Sequence, residues 1–366
     1  MATACDQDSA LSKPARFCSP NELGSRMNHS VSIVPSQKQF ECEADESILT
    51  AALRADVILP YGCKDGACGS CKAELLEGRV DYGLYQARAL TDEERVRGKL
   101  LTCCAKPLGA VTLKVRELSG LGDLVIKKMP CRVQRIHKLT ADVAVLTLQL
   151  PANEVLQFKA GQYVEFMLRD GSRRSYSLAN SPLQEGSIEL HVRHMQGGVF
   201  TDHVFGAMKE REILRFEGPM GTFFLREDSD KPVVLLASGT GFAPIKSLLE
   251  YAFAKNSMRQ FVLYWGARTK ADLYMADLPL QWAREYGHFT FVPVLSEPSG
   301  ACQWDGRTGL VHQAVMMDWP DLSGHQVYAC GVPIMVESAL RDFTAQCALP
   351  ADEFFADSFT SLADHV

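Results

Sequence analysis

Residues 62–71 read GCKDGACGSC, and they place three thiols in one short loop. A fourth cysteine, Cys103, follows after 31 further residues, so the set has the spacing C-x4-C-x2-C followed by a distant cysteine. The glycines of the loop lack side chains, which lets the backbone curl and direct its N–H groups at sulfur atoms. Four thiols in this pattern indicate a metal or redox site formed by Cys63, Cys68, Cys71 and Cys103.

The spacing is close to the one that holds a plant-type [2Fe–2S] cluster, whose two irons and two sulfides need four thiolates. Structural zinc is a weaker interpretation, because zinc sites use paired C-x2–4-C knuckles. Disulfides are weaker too, since twelve cysteines in 366 residues without an export signal favour a reducing compartment. Cys104 directly follows Cys103, and in an extended strand only one of the two side chains can point inward.

The composition of the whole chain excludes several classes of protein. Hydrophobic residues make up 46% of the chain and the net charge is −6, so we expect two or three globular domains and no nucleic-acid partner. No apolar run reaches the roughly 20 residues that a membrane helix needs. The first 30 residues lack a continuous apolar stretch, so they do not form a secretory signal. We therefore expect a cytoplasmic protein without a membrane partner.

The pattern of apolar and turn residues divides the chain into three domains with connecting segments. Short strands and turns at 32–34, 39–42 and 72–76 surround the cysteine loop. Short alternating runs in the middle of the chain indicate a β-barrel or sandwich. Apolar strands that alternate with helical patterns indicate a parallel sheet near the end. The predicted parts are a disordered extension (1–27), an iron–sulfur domain (28–117), a linker (118–128), a β-rich domain (129–228) and an α/β domain (229–366).

Two segments of the β-rich domain carry residues that suit a flavin. On a predicted strand, Arg174 could bind a pyrophosphate, Tyr176 could lie against a flavin ring from the same face, and Ser177 could reach the region of N5. Residues 197–201 (GGVFT) could begin a helix whose N-terminus binds phosphate. Taken alone, each segment is more often a surface strand or an ordinary turn. Together in one domain they favour a flavin site.

Two further turns suit a nicotinamide dinucleotide. Residues 238–244 (SGTGFAP) lie between an apolar strand and a helix, where small residues let a pyrophosphate approach the helix start. An ordinary strand–helix turn remains the alternative, because the full glycine fingerprint is absent. Residues 328–333 (YACGVP) have the same character, and Cys330 there could either be packed inertly or lie beside a nicotinamide.

The order of these motifs resembles the ferredoxin–NADP reductase superfamily with an N-terminal ferredoxin domain. Within it, the sequence is most similar to the CDP-6-deoxy-Δ3,4-glucoseen reductases, and the reductases of ring-hydroxylating oxygenases look similar over the same length. The resemblance implies a multidomain α+β protein with a β-grasp ferredoxin, an antiparallel β-barrel FAD domain and a Rossmann-like α/β NAD(P) domain. It covers about residues 28–360 and is carried by runs that include YGCKDGACGSCKAELLEG, LLTCCAKP, RRSYSLAN, LASGTGFAPIKS, YACG and FFADSF.

The resemblance also assigns roles to residues of this sequence. It implies that the cluster ligands are Cys63, Cys68, Cys71 and Cys103, so that Cys103 rather than Cys104 is the fourth. It implies that FAD is held by Arg174, Tyr176, Ser177, His191, Val192, Arg193, Gly198 and Thr201. It implies that NADH or NADPH meets Gly239, Thr240, Gly241, Cys330 and Gly331. The residues closest to the chemistry would then be Tyr176, Ser177 and Cys330.

Two positions depart from the pattern of the superfamily. Phe359 lies in the region where relatives cover the second face of the flavin, but seven residues follow it and no terminal tyrosine is present. Ser238 stands where many relatives have glycine. The role of Phe359 is therefore the assignment that the resemblance supports least.

The implied activity is an electron relay from NAD(P)H through FAD and the [2Fe–2S] cluster to a separate acceptor protein. The expected acceptor is a dehydrase that depends on pyridoxamine phosphate (PMP) and serves CDP-3,6-dideoxyhexose synthesis. An oxygenase component is the alternative, and a non-catalytic redox sensor with vestigial motifs is a third hypothesis. We expect NADH as the coenzyme, although Arg268 and Lys270 could either reach the 2′-phosphate of NADPH or be solvated loop charges.

Overall fold

A computed structural model describes residues 28–118, 124–298, 300 and 303–360 of the chain. The predicted extension at 1–27 and part of the predicted linker, residues 119–123, lie outside the described residues. Three large sheets follow one another along the described chain, and each forms the centre of one predicted domain. Within the described ranges, no helix combines the length and the apolar character needed to cross a membrane.

The first sheet is a five-stranded mixed sheet that supports the cysteine loop. Ser47 caps the first helix, and Thr91 and Glu94 form a capping box at the start of the second. The elements are β1 (Asn28–Val34), β2 (Gln39–Glu43), α1 (Ile48–Arg54), β3 (Lys72–Glu77), β4 (Val80–Asp81), α2 (Asp92–Val96), β5 (Lys99–Leu101), β6 (Lys106–Pro107) and β7 (Val111–Lys114). The strand order is β2-β1-β7-β3-β5, with β1 and β7 parallel and the other pairs antiparallel.

The second sheet is a six-stranded antiparallel barrel, which decides between the barrel and the sandwich. Its elements are β8 (Lys127–Lys138), β9 (Val143–Gln149), β10 (Tyr163–Met167), β11 (Arg173–Ser177), β12 (Ser187–Arg193), α3 (Val199–Phe205) and β13 (Ile213–Met220). The order is β11-β10-β13-β8-β9-β12, and an antiparallel bridge between Leu178 and Leu190 joins the two ends. Strand β8 begins at Lys127, so it overlaps the last two residues of the predicted linker.

The third sheet is parallel throughout and has the order β17-β16-β15-β14-β18-β19. Its elements are β14 (Val233–Ser238), α4 (Phe242–Ala254), β15 (Phe261–Ala267), α5 (Asp277–Glu285), β16 (Phe289–Leu295), β17 (Arg307–Thr308), α6 (Val311–Asp318), β18 (Gln326–Gly331), α7 (Pro333–Gln346) and β19 (Phe354–Ser358). The chain leaves β14 towards β17 and returns to β18 on the other side of β14. This reversal opens a crevice at the carboxyl ends of β14 and β18, where open α/β sheets bind ligands.

Candidate functional site

The four predicted cluster ligands come together as two pairs of thiols. The sulfur atoms of Cys71 and Cys103 lie 3.2 Å apart, and the backbone N–H of Cys63 donates to the sulfur of Cys68 at 3.4 Å. Among the described residues, no group of three or more His, Cys, Asp or Glu side chains is arranged to hold one metal ion. A [2Fe–2S] cluster takes two protein ligands on each iron, so two pairs of thiols fit its needs.

The loop that carries these thiols also favours the charged form of one of them. A hydrogen bond from the Cys63 thiol lowers the pKa of Cys68 to about 6, although burial acts in the opposite direction. The thiolate is the form that binds metal. A Cβ atom added at Gly62 would lie 3.1 Å from the Cys68 sulfur, a tight contact that would push on this thiol.

Cys104 does not lie as an extended strand would place it. Strand β5 ends at Leu101, and Cys103 and Cys104 follow in a turn. Their sulfur atoms lie 3.5 Å apart, so both thiols are on the same side of the chain. The expectation that strand alternation separates them is therefore wrong. Cys103 is the one that contacts Cys71.

Strand β11 presents two of the predicted flavin residues, Arg174 and Tyr176, on one face. Arg174 and Tyr176 are half-buried, whereas Arg173 and Ser175 are exposed, as strand alternation predicts. The ring of Tyr176 lies 4.9 Å from that of Phe200 in α3, measured between centroids. Arg173 forms an ion pair with Glu165 at 3.1 Å, whereas Arg174 forms none within the described chain. The Arg174 guanidinium thus has no carboxylate among these residues to compete with a phosphate.

The three predicted residues of strand β12 have different surroundings. Val192 is fully buried in the apolar core of the barrel. The imidazole of His191 is buried, with Nδ1 at 2.7 Å from the Tyr274 hydroxyl and Nε2 at 3.1 Å from Glu189. Because both ring nitrogens already have protein partners, a contact between His191 and FAD would have to use its backbone.

Arg193, the last residue of β12, is the group that best matches an anionic ligand. Its Nε and Nη2 atoms are buried without a hydrogen bond, and Nε is 3.6 Å from a carboxylate oxygen of Asp142. Its guanidinium carbon would be 3.6 Å from a Cβ atom added to Gly239, so it faces the predicted dinucleotide turn. Buried donors without partners are costly, and a phosphate would satisfy them.

The helix start at α3 also has the predicted form. Gly198 stands at the N-cap position of α3 in an extended conformation. As a glycine it offers no side chain to cap the helix. The hydroxyl of Thr201 donates to the carbonyl of Met195 at 2.8 Å and holds the preceding loop against the helix. A Cβ atom at Gly198 would lie 2.6 Å from that hydroxyl, so the loop requires glycine.

The two predicted dinucleotide turns touch each other at the carboxyl ends of β14 and β18. A Cβ atom at Gly241 would lie 2.1 Å from the carbonyl oxygen of Cys330, and one at Gly331 would lie 2.1 Å from the Ser238 hydroxyl. Thr240 is buried between them. The Ser238 hydroxyl accepts a hydrogen bond from the N–H of Val332 at 3.0 Å. Serine at 238 therefore ties one turn to the other.

Strand β19 passes between the predicted sites. The Ser177 hydroxyl donates to a carboxylate oxygen of Asp357 at 3.3 Å, and the Cys330 sulfur lies 3.9 Å from the same oxygen. Burial, followed by the negative charge of Cys68, raises the pKa of Asp357 to about 7. The N–H of Phe359 donates to the carbonyl of Gly331 at 2.8 Å, which places Phe359 beside the nicotinamide turn.

The cysteine loop is docked against the other two domains. The phenol of Tyr163 in β10 donates to the carbonyl of Gly62 at 2.7 Å, and the hydroxyl of Thr222 bonds both the N–H and the carbonyl of Tyr61. The Ser70 hydroxyl donates to the carbonyl of Ala356 in β19 at 3.4 Å. The loop, the flavin strand and the dinucleotide turns therefore meet in one place.

Sequence reasoning did not single out Asp357, Tyr163 or Tyr274. Asp357 carried one signal, because an acidic residue within an aromatic run is unusual for a buried strand. Tyr163 and Tyr274 act on residues that are distant in sequence, 101 and 83 positions away. No local sequence pattern predicts such contacts.

Three family profiles match consecutive parts of the chain. A 2Fe-2S iron-sulfur cluster binding domain matches residues 31–108, an oxidoreductase FAD-binding domain matches 130–225, and an oxidoreductase NAD-binding domain matches 235–341. These matches confirm the predicted cofactors, FAD, a [2Fe–2S] cluster and NAD(H). They also confirm the predicted fold class and the prediction of an oxidoreductase.

Individual relatives cover nearly the whole chain. The CDP-6-deoxy-L-threo-D-glycero-4-hexulose-3-dehydrase reductase of Yersinia pestis is 42% identical over 91% of this chain and 99% of its own length. Reductase component 1 of terephthalate 1,2-dioxygenase from Comamonas sp is 33% identical over 92% and 98%. The crystal structure of the Amycolatopsis cytochrome P450 reductase GcoB superposes with a TM-score of 0.72 at 34% identity, over 91% of this chain and 99% of that one. The chain thus belongs to the ferredoxin–NADP reductase superfamily, as a reductase with an N-terminal [2Fe–2S] domain.

Proposed function

We propose that this reductase passes electrons from NADH to the PMP-dependent dehydrase of CDP-3,6-dideoxyhexose synthesis. Reductases whose names refer to a CDP-hexulose dehydrase are 42% identical to the chain, compared with 33% for the terephthalate dioxygenase reductases. When bound, FAD accepts a hydride and releases electrons singly, and the [2Fe–2S] cluster accepts one electron at a time. The residues of the chain bind and orient these groups.

One observation carries the proposed relay: a single strand contacts all three predicted sites. In β19, Asp357 meets Ser177 of the flavin strand and Cys330 of the nicotinamide turn, while Ala356 accepts a hydrogen bond from Ser70 in the cysteine loop. The predicted donor, flavin and cluster sites therefore adjoin one strand of the same chain. This arrangement supports transfer through the cluster rather than directly from the flavin to the acceptor.

The side chains around β19 have separate proposed tasks. Ser177 holds the region of flavin N5, and its hydroxyl hydrogen is directed at Asp357. Asp357, with its pKa raised to about 7, exchanges a proton near neutral pH beside both Ser177 and Cys330. Cys330, which is buried, presents an uncharged thiol to the nicotinamide, because burial raises its pKa. We assign the phosphate contacts to Arg174, Arg193, Gly198, Thr201 and the turn at 239–241.

Reconstitution with each acceptor tests the proposal. With NADH, the protein should support turnover of the PMP-dependent dehydrase on its CDP-sugar substrate, and Cys68→Ser should lose this turnover together with its iron. Reduction of ferricyanide by the Cys68→Ser protein should persist, because it requires only the flavin. Turnover of a ring-hydroxylating oxygenase and not of the dehydrase would contradict the proposal. That outcome would favour the second candidate function, which the similarity to oxygenase reductases supports.

A further inference from the structure

The cysteine loop has two faces, and the structure covers one of them. Tyr163, Thr222 and Ala356 bond the loop from the side of the FAD and NAD domains. On the same side, the ammonium group of Lys64 lies 3.5 Å from a carboxylate oxygen of Glu165. With both cofactors bound, an electron passing from the flavin to the cluster would cross this covered face. It must leave through another part of the loop to reach a separate protein.

At Gly66, another part of the loop is backed by residues 82–86. The N–H of Gln86 donates to the carbonyl of Gly66 at 3.0 Å. A Cβ atom at Gly66 would lie 3.0 Å from the Leu84 carbonyl and 2.7 Å from the Cys104 sulfur, so this segment packs tightly on the loop. Gly83 in turn lies against the backbone of Cys104. Residues 82–86 are therefore the next layer of protein outward from the thiols.

This outer layer carries an apolar surface. The Leu84 side chain is 93% exposed, and that of Val96 in α2 is 87% exposed. Tyr82, two residues before Leu84 in the chain, lines a shallow depression together with Val96 and Arg95. We call the surface formed by Tyr82, Leu84, Tyr85 and Val96 the exit face. A single exposed leucine is unremarkable, but apolar side chains that cluster beside a redox centre indicate an interaction surface.

The charges of the domain indicate what kind of contact this surface makes. Residues 28–117 contain twelve basic and thirteen acidic side chains, so the domain has almost no net charge. At the exit face itself, the guanidinium of Arg95 lies 4.6 Å from the centre of the Tyr82 ring, and Asp92 lines the same depression. The exit face therefore has no excess of one charge that would strongly attract an oppositely charged partner. The affinity of a partner protein for this surface must therefore come from apolar contact at its centre, surrounded by a rim of both charges.

We propose that the exit face is where the electron-acceptor protein docks on this reductase. The partner it fits is an enzyme whose docking patch has an apolar centre and a rim of both charges, with its redox group just beneath. Leu84 is the central contact, because it is the most exposed apolar side chain and its backbone rests on the cysteine loop. This inference rests on the proposed function, since it requires a separate acceptor protein.

A charge placed on the exit face tests the inference. Leu84→Asp should raise the KM for the acceptor protein by about tenfold or more, equivalent to about 1.4 kcal/mol of docking free energy. Its ferricyanide reduction and its cluster content should equal those of the wild type, because Leu84 is exposed and contacts no cofactor. Val96→Asp should act in the same direction. Met258→Asp, at a side chain 77% exposed in another domain, is the matched control and should leave the KM unchanged.

The assay uses whichever of the two acceptors the wild-type protein reduces, so the two proposals fail in different ways. If the wild type reduces only the oxygenase component, the proposed acceptor is wrong and the exit face is tested with that component. If the KM for the acceptor is unchanged in both Leu84→Asp and Val96→Asp, and both variants have full cluster content, the proposal that the acceptor docks at the exit face is wrong. A change from dimer to monomer in Leu84→Asp with an unchanged KM also overturns it, because the surface would then join two copies of this chain.

Discussion

Asp357 is a residue whose charge the fold disfavours. Its carboxyl group lies beside the Ser177 hydroxyl and the Cys330 thiol, and burial raises its pKa to about 7. In an unfolded chain an aspartate has a pKa of about 3.9. The folded protein therefore binds one more proton than the unfolded chain between about pH 4 and about pH 7. Stability from this group is present at low pH and is lost as the pH rises through that window.

Asp357→Asn should remove this loss, because asparagine has the same shape and does not titrate. We expect the melting temperature of the variant, relative to the wild type, to increase as the pH rises from about 5 to about 7 and then to level off. Thermal unfolding of the two proteins, each loaded with its cofactors, measures the difference. If the difference in melting temperature between the two proteins stays constant from about pH 5 to about pH 7, the carboxyl group is already ionised in the folded protein.

Arg193 provides a second prediction for a single residue. Its Nε and Nη2 atoms have no hydrogen bond and its guanidinium faces Gly239. We therefore expect it to bind a phosphate of NADH, although the resemblance assigns it to FAD. Arg193→Met should raise the KM for NADH by about tenfold or more, the usual effect of removing a charge-assisted hydrogen bond. Arg135→Met, at an exposed arginine of the same domain, is the control. Loss of FAD with an unchanged KM would instead assign the guanidinium to the flavin.

The loop after β15 bears on the choice of coenzyme. The side chain of Arg268 is 66% exposed, and its Nε lies 3.8 Å from a carboxylate oxygen of Asp272. The same oxygen accepts hydrogen bonds from the N–H and the hydroxyl of Thr269, both at 3.0 Å. A carboxylate fixed at this point neutralises the arginine and repels a 2′-phosphate. We therefore retain NADH as the predicted coenzyme.

Comparison of kcat/KM for NADH and NADPH tests this prediction. The wild type should prefer NADH, and Asp272→Ala should raise kcat/KM for NADPH relative to NADH, because it frees Arg268 from its partner. Asp277→Ala, which removes an acid from the start of the next helix, serves as the control. A wild-type preference for NADPH would refute the prediction outright.

The elements that the sequence predicted well are those whose local pattern and tertiary role agree. The apolar run at 233–237 with its glycine turn became β14 and the start of α4, because a strand buried on both faces needs no alternation. Strand β8 was missed because Pro130 and five basic residues obscure the alternation of Met129, Cys131 and Val133. Strand β19 was seen as an aromatic segment but not as a strand. Its place is fixed by pairing with β18, a contact between distant parts of the sequence.

In the candidate site, too, the features set by local sequence were predicted and those set by distant contacts were not. The motifs place the glycine turns, the β11 residues and the cysteine loop, because each needs small or specific side chains at fixed spacing. They do not reveal that Asp357 joins two of these sites or that Cys104 lies beside Cys103. Both facts depend on how the chain turns after a strand and on which domains pack together. The roles of the individual site residues, like the domain boundaries, stay predictions.

At the scale of the whole molecule, the contact between the domains sets the route of the electron. Tyr163 is buried, and its hydroxyl donates to the carbonyl of Gly62, the residue before the predicted cluster ligand Cys63. Tyr163→Phe leaves that carbonyl without its partner, at a cost of about 1–3 kcal/mol. We expect reduction of the cluster by the flavin to slow by several fold, while reduction of the flavin by NADH is unchanged.

The matched control is Tyr264→Phe, which removes a phenol bonded to Asp318 inside the NAD domain, away from this contact. Rapid mixing with NADH under anaerobic conditions separates the two steps by their absorbance. Equal cluster reduction rates in Tyr163→Phe and the wild type would show that the docked contact does not govern transfer.

The same rapid-mixing experiment on the wild-type protein, repeated over a range of protein concentrations, tests the central claim most directly. If the three sites work in series within one chain, the flavin absorbance will bleach first, the cluster will be reduced next, and the rate of the second step will not depend on protein concentration. A cluster that is reduced faster at higher protein concentration, or that NADH does not reduce at all, would contradict the account.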